Sequence, residues 1–100
     1  MDNKLFVYGT LMDPKIQDKY IGRIVKGVEV FLCGYEKTEI DIDGAVYPLI
    51  ILNKDSDVEG QILELTDEEL LKVDEYEGTV YKRVNVVVGG GLKAWTYVKA

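Results

Sequence analysis

Residues 58–78 read VEGQILELTDEELLKVDEYEG, and the junction in the middle of this stretch decides how the chain is built. Val58 to Leu65 is rich in branched and apolar residues and reads as a strand. It runs directly into Thr66-Asp67-Glu68-Glu69, a capping box in which Thr66 accepts from the amide of Glu69 and the Glu69 carboxylate reaches back. The helix opened this way runs to about Tyr76, and Gly78 is placed to end it.

Outward from that junction the chain is mostly strand. Upstream, Lys4 to Tyr8 reads as a first strand, and Asp13-Pro14 as the N-cap and first residue of a short helix to about Ile21. Val25 to Gly34 reads as a second strand, and Tyr35 to Asp43 as an extended or looping continuation that ends in the tight turn Asp43-Gly44. Ala45 to Leu52 is strand-like, but Pro48 cannot donate to a ladder and demands an edge or a bulge. Asn53 to Asp57 reads as a polar turn. Downstream, Val80 to Val88 and Leu92 to Lys99 form a hairpin through Gly89-Gly90-Gly91.

Most of these strands are joined by connections too short for parallel crossovers. The expectation is one small α+β domain over residues 1–100, its sheet strongly curved or closed into a barrel, with one or two short flanking helices.

The residue inventory narrows the chemistry. The 100 residues include no histidine, one serine (Ser56) and one cysteine (Cys33), so a Ser-His-Asp triad, a Cys-His dyad and a histidine-bearing zinc site are all excluded. Neither a metal nor a cofactor is expected. A net charge of −6 argues against nucleic acid and against an anionic membrane surface as partners. No apolar run is long enough to span a bilayer, no signal-peptide pattern opens the chain, and a lone cysteine does not mark secretion. Cytoplasm is the expected compartment. Cys33 itself reads as a small buried hydrophobe, and Trp95 with Tyr97 as sheet packing.

Two places carry possible chemistry. Tyr8-Gly9-Thr10-Leu11 ends the first strand just ahead of a helix start. Gly9 either allows a tight turn and nothing more, or opens successive main-chain amides to an anion such as a carboxylate. Asp74-Glu75-Tyr76-Glu77-Gly78 ends the capped helix, with Leu70, Val73, Asp74 and Glu77 on one face by their spacing. These acids are either a solvated helix end, or a group in which Glu77 turns toward the margin of the core. There burial and the neighbouring Asp74 and Glu75 would raise its proton affinity. Three acids near a helix C-terminus oppose the macrodipole, which weakens the first of these readings.

Taken together, the motifs resemble a family. Phe6-Val7-Tyr8-Gly9-Thr10-Leu11, the Tyr47-Pro48 pair, Val73-Asp74-Glu75-Tyr76-Glu77-Gly78 followed by Tyr81 and Arg83, and the closing Ala94-Trp95-Thr96-Tyr97 are similar to the γ-glutamyl cyclotransferase-like superfamily. Within it they look most like the branch of γ-glutamylamine cyclotransferases and plant avirulence-induced proteins. The resemblance implies a small mixed β-barrel with a cavity at one mouth. It also implies a γ-glutamyl amine or peptide as substrate, with 5-oxoproline and a free amine as products. By position, Tyr8, Gly9, Thr10 and Leu11 match the loop that binds the glutamyl moiety, Glu77 the general acid/base, and Tyr81 an aromatic beside the cavity. The chain departs from many members in following its first motif with Met12-Asp13-Pro14-Lys15 and in lacking the longer loops of larger ones. The competing expectation is a non-catalytic module that binds a carboxylated metabolite on the same barrel.

Overall fold

A computed structural model describes residues 3–100. In chain order it contains β1 (Asn3–Val7), α1 (Pro14–Tyr20), β2 (Val28–Ile42), β3 (Ala45–Leu65), α2 (Asp67–Glu77), β4 (Tyr81–Val88) and β5 (Leu92–Lys99). Single 3₁₀ turns at Thr10–Met12 and Gly78–Val80 follow β1 and α2.

The five strands make one mixed sheet in the order β2-β3-β1-β5-β4. β1 is central, antiparallel to β3 and parallel to β5. A central strand must be apolar where both its faces are covered, and Leu5, Phe6 and Val7 are all buried. Their alternation divides the interior in two. Leu5 and Val7 pack with Leu63, Leu65, Leu70, Val73 and Tyr97 under α2, while Phe6 packs with Leu32, Ile50, Val58, Ile62 and Val86 inside the curl of the sheet. The sheet curls into a half-barrel, and its two outer strands meet where the Gly89 amide, just past β4, donates to the Phe31 carbonyl of β2 (2.8 Å). The α+β class and the strongly curved mixed sheet are those expected.

Both helices are capped as their sequences dictate. The Asp13 carboxylate accepts from the Lys15 amide (2.9 Å) ahead of Pro14. At α2 both capping-box bonds form, Glu69 N to Thr66 Oγ1 (3.2 Å) and Thr66 N to Glu69 Oε1 (2.9 Å). Glu69 also takes a forked pair of bonds from Arg23 (2.5 and 2.9 Å), and the Arg23 guanidinium holds its carboxyl down at about 2.

One open reading is settled and two expectations need correction. Tyr35 to Asp43 is strand almost to its end: β2 runs unbroken to Ile42 and pairs with β3 through a two-residue loop in which Asp43 and Gly44 both have positive φ. Asn53 to Asp57 does not turn the chain. β3 continues through it, and residues 53–56 bulge out opposite Gly34 alone, between the pairs Tyr35↔Leu52 and Cys33↔Asp57. The polar residues and the local bond from Asp55 N to Asn53 Oδ1 (3.0 Å) mimic a turn, but the ladder on either side overrides them. Finally, Cys33 is exposed, because strand alternation turns its neighbour Leu32 inward and leaves the thiol outside, hydrogen-bonded to Asp57.

Candidate active site

The first half of β3 is hydrogen-bonded to β2 on one side only. That is where Pro48 sits, and its carbonyl accepts the Tyr81 hydroxyl at the start of β4 (2.6 Å). The wall made by these residues, the end of β1 and the end of α2 enclose a cavity of about 300 Å³. Tyr8, Gly9, Thr10, Leu11, Glu77 and Tyr81 all line it, so two segments nearly seventy residues apart in sequence share one chamber.

Glu77 is half-buried at the last residue of α2. Leu70 and Val73, two turns and one turn earlier, are buried in the core under the helix, and their spacing brings Glu77 to the edge of that core. Burial raises its carboxyl to about 7. The neighbouring acids expected to assist do not figure in this rise. Asp74 is taken up by the Tyr97 hydroxyl and by Arg83, whose Nε lies 3.1 Å from Asp74 Oδ1, and Glu75 is exposed. At neutral pH Glu77 is divided between its acid and its base form.

The opposite wall is the turn after β1. Its internal bonds begin with Met12 N to Gly9 O (3.1 Å) and Asp13 N to Thr10 O (3.0 Å), so the amides of Thr10 and Leu11 precede them and are not used by the turn. Leu11 anchors the turn by burying its side chain, and the buried Gln17 amide braces it by donating to Leu11 O (2.8 Å). Gly9 lies against the Pro48 ring: a Cβ there would stand 2.9 Å from Pro48 Cγ. Thr10 Oγ1 and the Tyr76 hydroxyl are hydrogen-bonded at 2.6 Å, joining this turn to the end of α2.

Tyr8 is committed to the fold through its hydroxyl, which donates to Tyr97 O (2.7 Å) and is met by the Ile50 amide. Burial, with Tyr81 and Glu77 nearby, pushes its phenol above the usual tyrosine range. What Tyr8 offers the cavity is its ring.

Sequence reasoning missed part of the lining. Tyr47, Tyr76 and Tyr97 join Tyr8 and Tyr81, so five of the seven tyrosines in the chain surround one carboxylate. Tyr97 packs in the sheet as expected but also faces the cavity. The unusual number of tyrosines in so short a chain was the available signal. Among the described residues Glu77 is the one acid in the lining, and no three acid, cysteine or histidine side chains cluster to hold a metal. Nor is any helix among them long and apolar enough to cross a membrane.

The chain is thus a curled mixed sheet with two helices, and one cavity of it is lined by Glu77 and by the turn after β1. Residues 5–100 match the family described as γ-glutamyl cyclotransferase, AIG2-like, and the chain belongs to it. It is 35% identical over 85 residues to AIG2-like protein C of Arabidopsis thaliana, covering 84% of this chain and 48% of that one. Against AIG2-like protein B of the same plant the identity is 37% over 87 residues, covering 86% and 49%. The chain thus spans about half the length of these curated relatives. An Arabidopsis thaliana solution structure superposes with a TM-score of 0.85 at 30% identity, covering 99% of this chain and 62% of that one. A structure described as a γ-glutamyl cyclotransferase shares the fold, with a TM-score of 0.79 at 14% identity, covering 100% and 68%.

Proposed function

We propose that the protein is a cyclotransferase that closes the glutamyl part of a γ-glutamyl amine or γ-glutamyl peptide into 5-oxoproline and releases the amine, with Glu77 as general acid/base. The observation that carries this reading is the placement of Glu77, titrating at about 7, in the same cavity as the Gly9–Leu11 turn.

The substrate's α-carboxylate is held by the amides of Thr10 and Leu11, and its γ-carbonyl faces Glu77. The α-nitrogen attacks the γ-carbonyl carbon of the same molecule, so only a conformer has to be fixed, and the aromatic walls restrict that conformer. Glu77 takes a proton from the attacking nitrogen as the ring C–N bond forms. It returns a proton to the departing nitrogen as the old C–N bond breaks. The second proton of the α-ammonium reaches the released amine through solvent. A group that accepts and donates in one cycle works best when its proton affinity lies near the ambient pH, and the burial of Glu77 puts it there.

The test is 5-oxoproline formation from a panel of γ-glutamyl amines and peptides. The parent is expected to form it, and Glu77→Gln to lose about 10²-fold or more in kcat. Equal turnover by the variant removes the role of Glu77. Saturable binding of the panel without product points instead to a non-catalytic binding module.

A further inference from the structure

We propose that Asp74 is a positioning residue for Glu77, its carboxylate pinning the last turn of α2 to the strands beneath the cavity. The proposal rests on the reading of Glu77 given above and adds the group that holds it in place.

The Asp74 carboxylate reaches two strands at once. Tyr97 of β5 donates its hydroxyl to Oδ1, and Arg83 of β4 places Nε 3.1 Å from the same oxygen. The Asp74 carbonyl meanwhile accepts the amide of Gly78, the residue that follows Glu77. One residue therefore ties down the helix end through its side chain and its backbone together. Its partners are themselves held: the Arg83 guanidinium lies 4.4 Å over the Trp95 ring, and the buried Tyr97 receives the Tyr8 hydroxyl on its carbonyl.

The physical reason for such an anchor is the charge pattern of the helix. Asp74, Glu75 and Glu77 lie in the last turn of α2, where the macrodipole disfavours anions and no basic residue is present. Left alone, this end would fray and admit water to Glu77. Arg83 and the Tyr97 phenol offset that tendency by pairing with Asp74. Around Glu77 stand Tyr8 from just past β1, Tyr47 from β3, Tyr81 from β4, Tyr97 from β5 and Tyr76 from its own helix. On its own helix the acids of the last turn are Asp74 and Glu75, and Arg83 of β4 pairs with Asp74. None of the described cavity-lining groups carries a positive charge, so the proton affinity of Glu77 depends on how dry the helix end is kept.

The test compares the parent with Tyr97→Phe and Asp74→Asn through two readouts. One is kcat and KM on a γ-glutamyl amine. The other is the NMR titration of the ¹³C-labelled Glu77 carboxyl, assigned with Glu77→Gln, which needs no turnover. Tyr97→Phe exchanges one neutral ring for another and removes only the bond to Asp74. It is expected to lower the Glu77 midpoint by about one pH unit and kcat by about tenfold, with KM within about twofold. Asp74→Asn is expected to exceed both effects, and if it fails to fold, Tyr97→Phe decides. A folded Tyr97→Phe protein whose Glu77 titrates as in the parent overturns the proposal. A shifted titration in a protein whose parent forms no 5-oxoproline upholds the positioning and rejects only the cyclotransferase reading.

Discussion

Gly9 and Pro48 are packed so closely that the space for a side chain at residue 9 is already filled: an added Cβ would lie 2.9 Å from Pro48 Cγ. The contact joins the turn after β1 to the wall of β3, and both residues line the cavity. Glycine is needed here for the approach of a proline ring.

Gly9→Ala is therefore expected to cost about 1–3 kcal/mol of stability, the usual penalty for a close contact that must be relieved by backbone movement. Urea denaturation measures it. Adding Pro48→Ala should recover part of the loss, since it removes the colliding atom. If Gly9→Ala is as stable as the parent, the packing argument is wrong.

Tyr8→Phe should destabilise by about 1–2 kcal/mol. It removes a hydroxyl that donates to Tyr97 O and is met by the Ile50 amide, and both backbone groups are left short of a partner in buried surroundings. The hydroxyl links β5 to β3 across the curl, so a native-state hydrogen-exchange measurement should find the Ile50 amide less protected. Unchanged protection there would mean that the hydroxyl is dispensable to the fold.

Glu77 also predicts a pH dependence of stability. Its folded-state value is raised from 4.5 to about 7, so the native chain binds the proton more tightly than the unfolded one. The stability linked to that proton is fully present below about 4.5 and is lost as the pH rises through about 7. Glu77→Gln, which stays neutral, should match the parent closely at pH 4.5 and exceed it by up to about 3 kcal/mol at pH 8. Thermal melts of both proteins across that range give the answer. A difference that does not vary with pH would show that burial does not tune this carboxyl.

Much of the architecture was legible in the chain because its signals are local. The Thr66 capping box, the Asp13-Pro14 helix start, the Asp43-Gly44 turn and the glycine-rich hairpin each depend on groups within a few residues of one another. The errors arose where a ladder outweighed local preference. Residues 53–56 carry turn chemistry, yet the pairings on both sides keep β3 continuous and force them into a bulge. Cys33 followed the alternation of its strand, which its residue type alone did not reveal.

The candidate site was legible only as two separate pieces. The sequence by itself determined that no histidine chemistry is available, that α2 ends in a cluster of acids, and that a glycine turn follows the first strand. Only the tertiary structure decided that Glu77 meets that turn in one cavity, and that the hydroxyls of Tyr8, Tyr81 and Tyr97 serve the scaffold. It alone separated Asp74, paired and held, from Glu77, half-buried with its proton affinity raised. The physical reason is that burial is a collective property: the same carboxylate is ordinary in water and tuned in a cavity, and the cavity forms only when β1, β3, β4 and α2 close on one another.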